Sequence, residues 1–97
     1  MNGYKRCKRP LQSEALASYE QALRLRPNYL AAYNNKGIVL NDMKRYQDAL
    51  TAYDKAIQLD TKYAAAYYNK SIALRNLQRH TEADKAEQTA QRLGYKL

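Results

Sequence analysis

The sequence predicts an all-α protein, a solenoid of antiparallel helical hairpins, on three observations. Residues 30–63 and 64–97 are identical at 13 of 34 aligned positions, and repeats of this length are typical of solenoids. Apolar residues within each repeat recur at three- and four-residue steps, as in an amphipathic helix. The composition, 45% hydrophobic with three Gly and two Pro, favours a folded helical domain over a disordered chain or a turn-rich sheet.

Residues 1–11 are predicted to be a basic, flexible segment that precedes a single domain over residues 12–97. Four of its residues are cationic, at Lys5, Arg6, Lys8 and Arg9. The whole chain carries a net charge of +8, and without residues 1–10 the balance is 13 − 9 = +4. This segment could bind nucleic acid or another anion weakly. We do not expect nucleic acid to be the main partner, because the other basic residues are scattered over turns and outer faces.

The first predicted helix covers residues 12–25, where Leu16, Tyr19 and Leu23 form an apolar stripe and Pro27 marks the end. Residues 12–29 match residues 46–63 in register, so this helix is the second half of an earlier repeat. Because no convincing first helix precedes it, we expect these three apolar residues to be exposed. Two interpretations stay open: a degenerate start of the repeat array, or self-association of two copies through this face.

The next four helices are predicted near 30–42, 46–58, 64–76 and 80–93. Polar residues break the pattern at 41–45 and 60–62, with Thr61 as a candidate N-cap of the fourth helix. In the last helix, the positions that match Leu50, Tyr53 and Ile57 are polar. The residues at these positions are Asp84, Glu87 and Gln91, a pattern typical of a terminal capping repeat.

The repeat resembles the tetratricopeptide repeat (TPR), a helix–turn–helix unit of 34 residues. The residues that carry this likeness are Tyr33, Gly37, Leu40, Tyr46, Ala49, Tyr53 and Ala56. The departures are Lys36 and Lys70 for Leu, Ser71 for Gly, Thr61 for Pro and His80 for Tyr. The resemblance covers residues 12–97 and implies a right-handed superhelical solenoid with a half-repeat at 12–29 and full repeats at 30–63 and 64–97. It also implies a non-catalytic protein-interaction module.

In this family the first helices of successive repeats line a concave groove that holds a peptide. Carried over by register, the groove residues are Asn34, Asn35, Ile38, Asn41, Asp42, Ala65, Tyr68, Asn69, Ile72, Arg75 and Asn76. An amide such as that of Asn35 or Asn69 can donate to and accept from a peptide backbone, although hydrogen bonding within the repeats is the alternative. Arg75 could pair with a carboxylate, so the expected partner is a protein or peptide, with acidic residues as one candidate feature.

One version of the groove is excluded by its residues. Chaperone-binding members of the family hold a C-terminal carboxylate with a set of Lys, Arg and Asn side chains. The corresponding positions here are Asn34, Ile38 and Asn69. The resemblance therefore does not extend to a carboxylate clamp.

Catalysis and cofactor chemistry are not predicted. The single cysteine and the single histidine, Cys7 and His80, are far apart in sequence, and no glycine-rich phosphate loop or metal-ligand spacing occurs. We therefore expect no catalytic residue, no metal site and no cofactor. The absence of a long apolar run predicts no membrane span, and the lone cysteine suits a reducing compartment, so a cytoplasmic location is expected.

Overall fold

The computed structural model describes residues 11–96, and this part of the chain is all-helical, without strands. Its five helices are α1 (Leu11–Leu25), α2 (Leu30–Asp42), α3 (Tyr46–Leu59), α4 (Ala64–Asn76) and α5 (His80–Arg92). Each boundary lies within one residue of the sequence prediction. The predicted helical-hairpin fold is therefore confirmed.

The two hairpin turns, α2–α3 and α4–α5, have the same backbone geometry. Lys44 and Gln78 occupy equivalent positions and both have φ = 64°, in the left-handed region. The Lys44 amide donates to the Asn41 carbonyl at 2.9 Å, and the Gln78 amide donates to the Arg75 carbonyl at 3.0 Å. These bonds use carbonyls that the helix ends would otherwise leave unpaired.

The predicted N-cap of α4 at Thr61 is wrong. Helix α4 begins at Ala64, and Tyr63 takes the N-cap position without a side-chain hydrogen bond. The turn is held instead by Asp60, whose carboxylate accepts from the Lys62 amide at 3.0 Å. The carbonyl of Thr61 accepts a hydrogen bond from the Tyr67 hydroxyl at 3.0 Å.

The expectation that α1 exposes Leu16 is also wrong. Leu16 is only 9% exposed and belongs to the hydrophobic core, because α1 packs against α2. Tyr19 and Leu23 are half-buried. The large apolar side chains that α1 leaves exposed are those at its two ends, Leu11 at 71% and Leu25 at 77%.

A close contact between α2 and α3 explains one difference between the two full repeats. Tyr53 is 1% exposed, and a Cβ placed on Gly37 would overlap its ring. In the next repeat the residue equivalent to Tyr53 is Glu87, which is half-buried, and the residue equivalent to Gly37 is Ser71. A side chain larger than hydrogen is accommodated at Ser71 because no tyrosine occupies that space.

The helices form an inner and an outer row. The backbones of α2 and α4 lie close to each other, whereas those of α1, α3 and α5 lie close only to helices that adjoin them in the chain. Because the inner helices are close together and the outer helices are spread apart, the stack curves with α2 and α4 on its inner side. The predicted groove residues of the first helices thus belong to the inner row.

Candidate binding surface

The predicted groove residues differ in how open they are. Ile38, Asp42 and Asn76 are exposed, and a larger group is half-buried. The half-buried residues are Asn35, Asn41, Ala65, Tyr68, Asn69, Ile72 and Arg75. Asn34 is only 6% exposed and is therefore not available as a ligand contact in this structure.

Four of the asparagines pair with one another between α2 and α4. The side-chain amide of Asn69 donates to the side-chain oxygen of Asn34 at 3.1 Å. The side-chain amide of Asn76 donates to the side-chain oxygen of Asn41 at 3.4 Å, a longer contact. The two pairs are seven residues apart on each helix, about two turns. These side-chain amides therefore join the two repeats. For Asn69, this is the alternative to peptide binding that was considered from the sequence.

Asn35 and Ile38 remain open on the inner face. The side chain of Asn35 has no hydrogen-bond partner among the described residues and is half-buried. Ile38 is 37% exposed, which makes it one of the exposed large hydrophobic residues of the chain. Ile72 is its equivalent in α4 and is half-buried. A free amide beside apolar side chains can bind a peptide backbone and one apolar side chain together.

An aromatic pair lies at the α4 end of the inner face. The rings of Tyr68 and Tyr95 stack with centroids 4.5 Å apart and an interplanar angle of 17°. In the preceding repeat the residue equivalent to Tyr68 is Asn34. Helix α4 packs over Asn34, and Asn69 of α4 donates a hydrogen bond to it. Tyr95 was not predicted from the sequence, because its position after α5 has no equivalent contact in the repeat pattern.

Arg75 is already occupied by two carboxylates of α5. Its guanidinium lies 2.9 Å from Asp84 and 2.6 Å from Glu87. The hydrogen bonds that Arg75 donates, first to Glu87 and then to Asp84, raise its pKa. The sequence predicted that Arg75 could bind a ligand carboxylate, but this placement leaves no unpaired charge for that purpose. Asp84 and Glu87 of α5 thus serve an internal contact with α4.

The lysines that replace leucine in the repeat pattern form ion pairs with the preceding outer helix. Lys36 lies 3.7 Å from Glu20, and Lys70 lies 2.7 Å from Asp54. Both pairs are separated by 16 residues in the chain, so the same contact occurs twice in register. The two departures at these positions are therefore coupled to acidic residues that the single-repeat pattern does not include.

A cavity lies on the outer side of the stack, between α1 and α3 and above α2. Its volume is about 820 Å³, and its apolar lining comes from Tyr33, Leu40 and Ala52. Its charged lining residues are Glu20, Lys36, Arg45, Asp48, Asp54 and Lys55. We refer to it as the outer cavity. The equivalent cavity one repeat later, lined by Tyr67, Leu74 and Ala86 among others, measures about 180 Å³.

Several predicted features lie outside residues 11–96 or have ordinary surroundings. Cys7 and the basic residues at 5–9 are outside the described part of the chain. His80 is exposed and contacts the side chain of Gln78 at 3.1 Å. Over residues 11–96 no group of three or more His, Cys, Asp or Glu side chains could hold a metal ion. No helix in the same range combines the length and apolar character needed to cross a bilayer.

Two family models match the chain. The model described as "Tetratricopeptide repeat" matches residues 30–63, and the model described as "TPR repeat" matches residues 12–44. Together they cover residues 12–63, which is 52 of the 97 residues and more than half of the chain. No curated protein matches the sequence.

Solved structures with similar folds include other repeat proteins. A crystal structure of MamA has a TM-score of 0.82 at 24% identity, covering 91% of this chain and 52% of that one. A MamA RS-1 ArsTM double mutant has a TM-score of 0.79 at 27% identity, covering 92% and 50%. The first TPR of Spaghetti (RPAP3), bound to the HSP90 peptide SRMEEVD, has a TM-score of 0.85 at 24% identity, covering 95% and 73%. The present chain thus spans about half the length of the MamA chains.

Proposed function

Since the chain belongs to the tetratricopeptide-repeat family, in which the repeats serve protein interaction, we propose that it is a non-catalytic module that binds a segment of a partner protein on the inner face of α2 and α4. The observation that carries this proposal is the half-buried amide of Asn35, unpaired within residues 11–96, which lies three residues before the exposed Ile38 and therefore on the same side of α2. Asn35 would bind the backbone of the segment, while Ile38 and Ile72 would contact an apolar side chain.

The inner face favours a segment of neutral, mixed polarity. Arg75 is paired with two carboxylates, Asp84 and Glu87, so this cluster carries one net negative charge, and the asparagine pairs are uncharged. The acidic partner suggested by the sequence is therefore not favoured at this face. With only two inner helices to provide contact, affinity in the micromolar range is expected.

Selection from an unbiased peptide-display library would test the site. We expect selected peptides to lose most of their affinity for Asn35→Ala and Ile38→Glu variants, because these changes remove the amide and place a charge on the apolar contact. The Gln47→Ala variant, changed at an exposed position of α3, serves as the control and should bind normally. Unchanged affinity in the Ile38→Glu variant would mean that the inner face is not the binding surface.

The peptide SRMEEVD, bound by the Spaghetti TPR, provides a second test. We predict no saturable binding of this peptide at micromolar concentrations, because Asn34 is buried and Arg75 is paired within the chain. Isothermal titration calorimetry would measure it. Saturable binding that is lost in an Arg75→Gln variant would show that Arg75 exchanges its internal partners for a ligand carboxylate, contrary to this prediction.

Self-association through α1 is a second candidate function. Three α3 residues that contribute to the core, Ala49, Tyr53 and Ala56, are at most 1% exposed. Their equivalents in α1 are only partly buried: Ala15, Tyr19 and Ala22. A second copy could cover this face, so Tyr19 and Leu23 remain candidate contacts. Leu16 is buried in the core and would not contact the second copy directly.

A further inference from the structure

We propose that the outer cavity is a second binding site, which takes a short segment of a partner protein with an apolar side chain next to a carboxylate. This site is separate from the inner face and does not depend on the function proposed for that face. Its volume of about 820 Å³ falls within the range of roughly 300–1,000 Å³ that is typical of ligand pockets.

The cavity exists because of the packing of the outer helices. The backbones of α1 and α3 both lie close to α2 but not close to each other, so a space above α2 stays open. Tyr33 and Leu40 of α2, together with Ala52 of α3, supply the apolar surface of this space. An apolar side chain of the ligand would contact these three residues and remove their surface from water.

The charge of the cavity selects a carboxylate. Five of its six charged residues are paired within the chain: Lys36 with Glu20, Arg45 with Asp48, and Asp54 with Lys70. Lys55 is the remaining one, and its ammonium group has no partner among the described residues. The lining together with Lys70 therefore carries one excess positive charge. A ligand carboxylate next to Lys55 would pair with this charge without breaking an existing ion pair.

The equivalent cavity above α4 provides an internal comparison. It is smaller, at about 180 Å³, and Thr89 stands where the first cavity has Lys55. Its lining also includes a lysine, Lys85, at the position of Thr51, so the two cavities differ in volume more than in charge. A volume of this size is below the usual range for a ligand pocket. The proposal therefore predicts binding at the α1–α3 site and none at the α3–α5 site, although both belong to the same repeat pattern.

The test uses three capped dipeptides that differ only in charge: N-acetyl-phenylalanyl-glutamate amide and its glutamine and lysine counterparts. Each is titrated into the full chain while backbone amide signals are followed by NMR. We expect the glutamate dipeptide to bind most tightly and to shift the signals of Tyr33, Ala52 and Lys55. The signals of Tyr67 and Ala86 should stay in place.

Two variants separate charge from general effects. Lys55→Gln should weaken binding of the glutamate dipeptide by about two- to fivefold, the range that exposed ion pairs support. Lys62→Gln removes another exposed lysine, which is not part of the cavity, and should have no effect. Circular dichroism would confirm that both variants keep their helix content.

Three results would overturn the proposal. The first is equal affinity for the three dipeptides, because the excess charge would then have no role. The second is a set of shifts confined to the inner face of α2 and α4. The third is movement of the cavity signals on dilution of the protein alone, which would show that a second copy occupies the cavity.

Discussion

Tyr53 and Gly37 determine how closely α2 approaches α3. The ring of Tyr53 lies where a Cβ of Gly37 would be, so the position tolerates only hydrogen as a side chain while the tyrosine is present. The second full repeat shows the alternative, with Ser71 and Glu87 at the two equivalent positions. The combination of residues at these two positions therefore sets how closely the two helices of a repeat pack.

We predict that Gly37→Ala lowers the free energy of unfolding by about 1–3 kcal/mol, the usual cost of overpacking a core. Chemical denaturation would measure this loss. Ser71→Ala is the matched control. It removes a hydroxyl that donates to the carbonyl of Tyr68 within α4, so its cost should be nearer 1 kcal/mol. A Gly37→Ala variant as stable as the wild type would show that α2 and α3 can separate without cost.

Tyr53 also predicts how stability depends on alkaline pH. Burial first, and then the charge of Asp42, raise the pKa of Tyr53 well above its usual value. The unfolded chain ionises this group near pH 10, while the folded chain keeps it protonated to higher pH. Its contribution to stability is therefore complete below about pH 10 and is lost as the pH rises above that value.

The measurement compares the wild type with Tyr53→Phe by denaturant unfolding at several values of pH. Their difference in free energy of unfolding should stay constant from pH 7 to 9. Above about pH 10 the wild type should lose up to about 1.4 kcal/mol per pH unit relative to the variant. Parallel curves for the two proteins would mean that Tyr53 ionises in the folded chain as easily as in the unfolded chain.

At the scale of helices and turns, the hairpin turns depend on a backbone conformation that their residues disfavour. Lys44 and Gln78 are not glycine, yet both have φ = 64°. Side chains with a Cβ adopt this region at a cost, whereas glycine enters it freely. The repeat geometry imposes the conformation, because the amide of each residue must reach the end of the preceding helix.

Replacing Lys44 with glycine should therefore stabilise the protein, by about 0.5–1 kcal/mol after the added flexibility of the unfolded chain is subtracted. Thermal or chemical unfolding would show the gain. Lys62→Gly is the comparison, since Lys62 lies in a turn without a positive φ. There glycine brings only flexibility, so stability should fall or stay the same. A loss in both variants would contradict the assignment of strain to Lys44.

The ion pairs between helices show what a single-repeat pattern omits. The family prefers an apolar residue where Lys36 and Lys70 occur, and from one repeat alone these lysines are only departures. The folded chain places each lysine beside an acidic residue 16 positions earlier, on the preceding outer helix. The information was in the sequence, but it depended on knowing which helices are neighbours.

For the whole molecule, the half-buried face of α1 is the candidate surface for self-association. The self-association candidate predicts that the mass measured by light scattering rises with protein concentration. Tyr19→Glu should then keep the protein monomeric, because it places a charge on the shared face. Ile38→Glu is the control, since Ile38 lies on the inner face of α2, and it should associate like the wild type. A monomeric wild type at every concentration would end this candidate.

The sequence alone determined the repeat, the five helices and their boundaries. These features depend on local periodicity and on an internal match at a fixed offset, both of which can be found without knowing any distance. The same register placed the candidate binding residues on the inner helices. It also distinguished the polar last helix from the others.

Only the tertiary structure decided which of those residues are available. It joined Asn34 to Asn69 and Arg75 to Asp84 and Glu87, it buried Leu16, and it stacked Tyr95 on Tyr68. It also opened the outer cavity between two helices whose backbones stay apart. The physical reason is that burial, pairing and cavity volume depend on how side chains from different helices pack, and the repeat pattern constrains that packing only at its small and aromatic positions.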